Sequence, residues 1–475
     1  MLLKSSIFTF AVFILMLSAG ASWPQASGDK PPRSSAPPPA EPQPAHKTPH
    51  RELFPDDVAG LEELAEKSYQ DGQYLRFVQA TIKLRQKRPY AQRYLVNMVI
   101  GGALLGRPST AYNYMHVMQQ QGLSYDFNST EDTRSIRNTE AYDYLNDLLI
   151  KAGEPVGEVK VAFSLPATAL QPQAIAWDDT RGMFLIGSME PGRLVAVTPA
   201  GAMQELLRTG DDEEPEPIHG IAVDAAHQRL WVTAAGMGRG ALLEFDLETL
   251  KLRQRYDLPE DGLPHMPGSV AVTPAGDVYL IDQAEPLVFR KPAGDVKLEA
   301  YPTGKELAGL KDLALSAAGD KLYLANTDLG IVVLDLANQT SSILSGPDTM
   351  NLGGISGLMF SEGNLFMLQN GIQPQRLMRL ELDTSGLNVL KIVPLAVAMK
   401  EFEAPAFGTI QGGTVYYFAG RNRPAAGKDP VPVVVLKTPV LLREAIVPVE
   451  QRKWDADKLK RKPGAGADTE QNLDT

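Results

Sequence analysis

Short alternations of apolar and polar residues recur along most of the chain. The stretch Pro267–Ala284 (PGSVAVTPAGDVYLIDQA) alternates on both sides of a Pro-Ala-Gly-Asp turn, which predicts two short antiparallel strands. Five further stretches follow the same pattern: Gln173–Met189, His219–Ala235, Lys311–Thr327, Ser356–Asn370 and Ala404–Gly420. Successive copies lie roughly 42 to 50 residues apart, which is the period expected for propeller blades. The pattern therefore predicts a mainly β fold, a six-bladed β-propeller spanning residues 154–448.

Each blade is expected to contain four antiparallel strands, separated by turns rich in Pro, Gly and Asp. In the third blade the predicted strands are Ser269–Thr273, Asp277–Ile281, Leu287–Lys291 and Val296–Tyr301. One alternating segment, Val159–Leu165, precedes the first copy and has no partner within its own blade. A ring of blades must close without leaving an open strand edge. We therefore expect Val159–Leu165 to form the outer strand of the blade that contains Thr414–Phe418 and Val431–Leu436.

Residues 53–153 have helical periodicity instead. Leu61, Leu64, Ala65 and Tyr69 share one helix face, and the last helix is expected over Asn138–Ala152. Helix pairs of about 34 residues over roughly Leu61–Gly122 resemble tetratricopeptide repeats. The resemblance implies an N-terminal all-α domain that binds a peptide or protein in its groove. The alternative is a packing module that shapes or oligomerises the propeller.

The two ends of the chain differ in composition from the rest. Residues 1–21 combine Lys4, an apolar run and a small-residue site at Ala19-Gly20-Ala21, which predicts a secretory signal peptide. An uncleaved membrane anchor is the alternative. Residues 22–52 are rich in proline and predict a disordered linker or a ligand for a partner domain, and residues 449–475 predict a disordered charged tail. We expect an exported protein, periplasmic or extracellular, that is not an integral membrane protein after cleavage.

Charge and cysteine content exclude several kinds of chemistry. The net charge is −11, and no segment combines a basic stripe with interleaved aromatic residues, so nucleic acid is not an expected partner. The chain has no cysteine, which excludes thiol catalysis, disulfides and a lipid anchor on cysteine. A protein or a small-molecule ligand is the expected partner.

Alignment of the six copies predicts a site at the mouth of the propeller channel. Loops from every blade meet there, and such concave places bind ligands. The residues that precede the inner strands are Gln173, His219, Gly268, Lys311, Ser356 and Ala404, with Ser269, Asp312 and Glu403 beside them and His265 in a neighbouring entrance loop. The two histidines predict either a corner for a cation or amine, with an imidazole able to transfer a proton, or side chains that only line the channel.

The repeated Gly-Φ-Ala-Φ-Asp and Leu-Tyr-Leu-Ala-Asn phrases over residues 155–440 resemble the gluconolactonase and regucalcin-like propellers, with some similarity to NHL-type propellers. The resemblance implies a divalent cation, Ca²⁺ or Zn²⁺, on the channel axis, held by a glutamate of the first blade and by later Asn and Asp side chains. The glutamate position corresponds to Gln173, which departs from the family because a glutamine has no charge. Asp312 and Glu403 are the other candidate metal ligands.

Two functions follow from these observations. The first is an exported binding or scaffolding module without catalysis. The alternative is a metal-dependent lactonase or esterase-like hydrolase, in which Asp312, Glu403 or His219 handles a proton. The hydrolase requires oxygen atoms of Gln173, Asp312 and Glu403 within joint reach of one cation.

Overall fold

The computed structural model describes residues 54–166, 170–189, 192–210, 216–236, 239–305, 307–420 and 432–441. These residues belong to one compact unit. Five α-helices come first: α1 (Val58–Gln70), α2 (Tyr74–Lys87), α3 (Gln92–Leu104), α4 (Pro108–Gln120) and α5 (Glu140–Lys151). Gly106 follows the end of α3 in a left-handed conformation, and Pro108 begins α4. None of the helices in this part of the chain is long and apolar enough to cross a membrane.

The remaining described residues form six antiparallel sheets. Two strands precede the first complete sheet, β1 (Val156–Gly157) and β2 (Lys160–Leu165). Blade one contains β3 (Pro172–Asp178), β4 (Met183–Ser188), β5 (Arg193–Val197) and β6 (Met203–Arg208). Blade two contains β7 (Ile218–Asp224), β8 (Arg229–Gly236), β9 (Arg239–Asp246) and β10 (Leu252–Asp257). Blade three contains β11 (Pro267–Val272), β12 (Val278–Asp282), β13 (Val288–Lys291) and β14 (Glu299–Tyr301).

The second half of the ring continues the same order. Blade four contains β15 (Leu310–Leu315), β16 (Lys321–Asn326), β17 (Gly330–Asp335) and β18 (Thr340–Ile343). Blade five contains β19 (Ile355–Ser361), β20 (Asn364–Gln369), β21 (Arg376–Leu382) and β22 (Val389–Val397). Blade six contains β23 (Ala406–Gln411), β24 (Thr414–Phe418) and β25 (Val433–Pro439), with β2 as its fourth strand.

The six sheets close into a ring. Each first strand contacts the first strand of the next blade, and β23 of blade six contacts β3 of blade one. β2 pairs with β25 from Lys160 against Lys437 to Leu165 against Val433. The six-bladed propeller and its closure by an early strand, both predicted from the sequence, are therefore confirmed.

A second early strand joins a different blade. β1 pairs with β22 as a fifth strand of blade five, with Val156 opposite Val397, which the sequence did not indicate. Gly157 has φ +98°, and a Cβ atom there would lie 2.0 Å from the carbonyl oxygen of Leu395. Only glycine fits this close approach. The segment between the helices and blade one is thus held to two blades before the propeller begins.

The hydrophobic core of the propeller is divided among the boundaries between blades. Each pair of neighbouring blades shares one apolar cluster, such as Leu185 with Val232 between blades one and two, and Phe184 with Val435 between blades one and six. The strands that form these boundaries are buried on both faces, which explains their richness in Val, Leu and Ile. No blade has a complete core alone, so each blade depends on both of its neighbours.

The loops of the propeller lie on two faces. The loops that precede each first strand, and those that join second to third strands, lie on what we call the entrance face. The loops that join first to second strands and third to fourth strands lie on the far face. The helices pack on the entrance face over blades four and five, where Arg88 pairs with Asp328 at 2.5 Å and Gln92 accepts a hydrogen bond from the Gln373 N–H at 2.6 Å.

A buried arginine fixes this docking. Arg376 of β21 is 4% exposed, and its guanidinium donates to the side chain of Gln369 at 2.7 Å and to the carbonyl of Gln121 at 2.9 Å. Gln121 caps the C-terminus of α4, where free carbonyls and the helix dipole favour a cation. Burial lowers the pKa of Arg376 to about 10. The Asn351 side chain donates to the Gln121 side chain at 2.8 Å and extends the network.

Replacement of this arginine tests the docking. We expect Arg376→Met to lower the free energy of unfolding by about 2–3 kcal/mol, because the helix-end carbonyls lose a charged, buried donor. The matched control is Arg253→Met, which removes a solvent-screened ion pair with Asp246 and should cost much less. Urea denaturation followed by circular dichroism measures both. Equal losses for the two variants would contradict the role given to Arg376.

Candidate ligand-binding site at the channel mouth

All six inner strands are irregular at the same place. In β7, Ile218 pairs with Ala234 and Gly220 with Thr233, so His219 is an extra residue without an opposite partner. Equivalent register shifts occur in the other five inner strands. In β11, two residues, Gly268 and Ser269, lie opposite one residue of β12. The extra residues of the remaining strands are Gln173, Lys311, Ser356 and Phe407. A β-bulge bends its strand and redirects a side chain. The bulge therefore marks the ring of residues at the channel mouth.

The ring agrees with the sequence alignment in five blades and differs in the sixth. Ala404 was the predicted position in blade six, but β23 begins at Ala406 and its bulged residue is Phe407. Phe407 has φ +44°, a left-handed conformation that is uncommon for a residue other than glycine. Ala404 and Glu403 lie in the preceding loop, where both backbone N–H groups donate to the carbonyl of Ala419. The prediction for Ala404 is wrong because the first hairpin of blade six is shorter than that of blade four: Ala406 pairs with Phe418, about twelve residues on, whereas Leu310 pairs with Asn326, about sixteen residues on.

Hydrogen bonds at this level join one blade to the next. The Thr233 hydroxyl donates to the carbonyl of Gly268 at 2.6 Å. The Gln283 side chain donates to the carbonyl of Lys311 at 3.2 Å, and the Ser356 hydroxyl donates to the carbonyl of Pro405 at 2.7 Å. Ser356, a predicted ligand-binding residue, is therefore engaged in holding blade five to blade six.

Asp312 connects three blades. It directly follows the bulge of β15, and its carboxylate accepts from the Leu358 N–H of blade five at 2.6 Å and from its neighbour Leu313 N–H at 2.9 Å. Ser269 of blade three supplies a further side-chain hydrogen bond. Burial has the largest influence and raises the pKa of Asp312 to about 6, against the effect of these donors. The carboxylate is thus surrounded by N–H and O–H donors and buried among them.

The three candidate metal ligands lie in different environments. Asp312 is buried and is held by the hydrogen bonds just described. Glu403 is exposed, and its carboxylate lies close to Gly420: a Cβ atom placed on Gly420 would be 3.1 Å from Oε2 of Glu403. Gln173 is half-buried in the bulge of β3. Across the ranges the structure describes, no three His, Cys, Asp or Glu side chains are grouped so that they could hold a metal ion. An Asp312 carboxylate that is held by these donors and an uncharged Gln173 do not fit the cation that the family resemblance implies.

Lys311 and His219 are the ionisable side chains in the ring itself. Lys311 is exposed and, within the described residues, pairs with neither Asp312 nor Glu403. His219 is 8% exposed, and desolvation lowers its pKa to about 4, so its imidazole is neutral near pH 7. A neutral imidazole can both donate and accept a hydrogen bond. The ring therefore offers one cation, one neutral imidazole and the amide of Gln173.

His265 lies away from the ring, in a cavity between blades two and three. The cavity has a volume of about 1040 Å³ and is bordered by Arg239, Arg255 and Glu260. His265 is 3% exposed, with Nδ1 2.5 Å from Asp282 and Nε2 3.2 Å from Asp261. Burial acts to lower the pKa of His265, but the two carboxylates outweigh it and raise the pKa above its usual value. Both ring nitrogens of His265 thus face carboxylates, and a corner shared with His219 stays a prediction.

Comparisons with known proteins give similarity of fold at low identity. No protein-family model matches the chain, and no curated protein matches it. The PQQ-bound aldose sugar dehydrogenase from Streptomyces coelicolor is 14% identical, with a TM-score of 0.41 over 60% of this chain and 99% of that one. A putative oxidoreductase (glucose dehydrogenase) from Thermus thermophilus is 17% identical, with a TM-score of 0.41 over 59% and 99% of the two chains.

A third solved structure has a different described activity. Virginiamycin B lyase from Staphylococcus aureus is 15% identical, with a TM-score of 0.41 over 55% of this chain and 82% of that one. At these identities and TM-scores the similarities assign no activity to this chain. Its function must be argued from the geometry of its own residues.

The pH dependence of stability tests the environment of Asp312. A carboxyl group whose pKa is raised in the folded state stabilises the fold at low pH, and this stabilisation is lost as the pH rises through about 6. The difference in unfolding free energy between the unsubstituted protein and Asp312→Asn should therefore fall by about 2 kcal/mol between pH 4 and pH 7. Urea denaturation at several pH values measures it.

Asp246→Asn is the control for this experiment. Hydrogen bonds from Arg253 and Thr249 lower the pKa of Asp246, so its pH dependence should have the opposite sign. The environment described for Asp312 would be contradicted if the difference in unfolding free energy between the unsubstituted protein and Asp312→Asn stayed constant or grew as the pH rises.

Proposed function

We propose that the propeller is a binding module whose channel mouth holds a small organic ligand with one anionic group, without the aid of a metal. The observation that carries the proposal is the contrast between two adjacent residues, Lys311 and Asp312. The ammonium group of Lys311 is exposed and has no ionic partner among the described residues, whereas the carboxylate of Asp312 is occupied by hydrogen bonds from three blades.

A carboxylate or phosphate group of the ligand would pair with Lys311, and the rest of the ligand would meet neutral groups. His219 and the amide of Gln173 can hydrogen-bond hydroxyl groups, and Phe407 supplies an apolar side in blade six. The metal-dependent hydrolase remains the alternative function. It is less well supported because one of its oxygen ligands, Asp312, would have to be taken from bonds that join the blades.

The helical part has a role in this proposal. We interpret it as a tetratricopeptide-like module that serves mainly to shape the entrance face, the second of the two interpretations left open by the sequence. Its support is the buried contact of Arg376 with the end of α4, together with the fit of Gly353 against Tyr90, where a Cβ atom would lie 2.2 Å from the Tyr90 carbonyl oxygen. Such contacts hold the helices in a fixed position beside the mouth.

Export is a further part of the proposal. Residues 1–21 would direct the chain across a membrane, and residues 22–52 would link the leader to the helices in the periplasm or outside the cell. These segments lie outside the described residues. Small-molecule ligands and envelope proteins are the partners that such a compartment would offer.

Substitution of Lys311 tests the binding site. Isothermal titration calorimetry with acetate, inorganic phosphate and gluconate should detect binding of at least one of these anions, in buffer treated with a chelator. Lys311→Met should weaken that binding about tenfold, the equivalent of about 1.4 kcal/mol, because the ion pair is lost at a partly enclosed site. Lys251→Met, an exposed lysine near a far-face turn, is the matched control and should leave the affinity unchanged.

Two results would contradict this proposal. One is an absence of binding by all three anions, and the other is binding that is equal in the Lys311→Met and Lys251→Met variants. Binding that appears only after Ca²⁺ or Zn²⁺ is added would favour the hydrolase alternative.

A further inference from the structure

On the far face, the last described residues are held in a fixed direction. After β25 ends at Pro439, the Val440 N–H donates to the carbonyl of Gly413 at 3.0 Å, and Arg379 of blade five donates to the carbonyl of Val440 at 2.8 Å. Leu441 then lies at the edge of a cavity between blades four and five, where it is 64% exposed. The chain therefore leaves blade six towards this cavity.

The cavity combines an aromatic base with an acidic rim. Its volume is about 690 Å³, and the rings of Tyr323 and Phe360 are stacked beneath it with centroids 5.7 Å apart. Four carboxylates line it, from Asp320, Glu362, Glu381 and Asp383. Lys321 pairs with Asp320 at 2.7 Å and Arg379 with Glu381 at 2.8 Å.

Two carboxylates of the rim are left for another cation. Among the described residues, Glu362 and Asp383 have no cationic partner, although Asp383 accepts hydrogen bonds from Ser385 and Asn388. The cavity thus carries an excess of negative charge beside an apolar surface. A segment that is first apolar and then basic would match both features.

The chain beyond Leu441 has this order of residues. Residues 442–449 (LREAIVPV) are mainly apolar, and residues 451–462 (QRKWDADKLKRK) contain six Lys and Arg residues against two Asp residues. An extended chain covers about 3.3 Å per residue, so residues 442–449 reach roughly 26 Å, enough to cross the cavity. Because the segment is tethered at the cavity edge, its effective concentration there is on the order of millimolar, and even weak contacts would hold it.

We propose that residues 442–462 dock along the cavity between blades four and five. The apolar part covers the surface near Tyr323 and Phe360, and the basic part pairs with Glu362 and Asp383. The docked segment would cover the boundary between these two blades on the face opposite to the proposed ligand site. This proposal does not depend on the function of the channel mouth.

Disulfide trapping in the full-length protein tests the docking, because the chain has no native cysteine. Gln451→Cys is combined either with Thr384→Cys, in the exposed turn that borders the cavity, or with Thr249→Cys, in the corresponding turn of blade two. Neither position in the propeller removes a charge. We expect the intramolecular disulfide to form about tenfold faster with Thr384→Cys, and this advantage to shrink in about 0.5 M salt, where charge pairs are screened.

A charge variant separates docking from chance contact. Replacement of the six basic residues by glutamine in the full chain should reduce the Thr384→Cys rate to that of the Thr249→Cys control; the six are Arg452, Lys453, Lys458, Lys460, Arg461 and Lys462. Equal rates at the two propeller positions would overturn the proposal, as would a preference for Thr384→Cys that neither salt nor the glutamine variant changes. Disulfide-linked dimers in place of the intramolecular product would instead place a second copy of the chain in the cavity and would also overturn it.

Discussion

Six inner strands converge on one axis, and the extra residue that each strand carries at its start determines what lies at the channel mouth. Space near the axis is limited, and the residues that follow the bulges are accordingly small in four blades: Ala174, Gly220, Gly357 and Gly408. In blade three the bulge itself consists of two small residues, Gly268 and Ser269. Asp312 in blade four is the exception. Its carboxylate accepts hydrogen bonds from both neighbouring blades. A residue that the sequence offered as a candidate metal ligand is here held in hydrogen bonds that join the ring.

The same geometry separates the surfaces of the molecule. Because the strands of each blade are antiparallel, the helices and the ring of bulged residues share the entrance face, whereas the chain beyond blade six leaves on the far face. A buried arginine links the helices to blade five, together with the apolar contact of Ile372 with the core of the helices. The proposed ligand binding at the mouth and the proposed docking of the C-terminal segment therefore concern opposite faces of the propeller.

The fold could be predicted from the sequence because its signals are local and repeated. Turn residues and alternation located the blades, and the unpaired alternating segment before blade one identified the closing strand. The site depended on contacts between distant residues. Local periodicity does not predict that Asp312 accepts a hydrogen bond from the Leu358 N–H, or that Arg376 donates to the end of α4. One local signal does identify Phe407. Ala406-Phe407-Gly408 matches Ile355-Ser356-Gly357, so the glycine that follows the bulge aligns Phe407 with Ser356.

The central claim is that the channel mouth works without a metal because Asp312 is committed to the frame of the propeller. A crystal structure of the protein grown in millimolar Ca²⁺ tests this claim most directly. The account predicts that Asp312 keeps its hydrogen bonds to Leu313, Leu358 and Ser269, with no cation at the mouth. A Ca²⁺ ion bound to the Asp312 carboxylate and to the Gln173 amide oxygen, with Leu358 released, would contradict it.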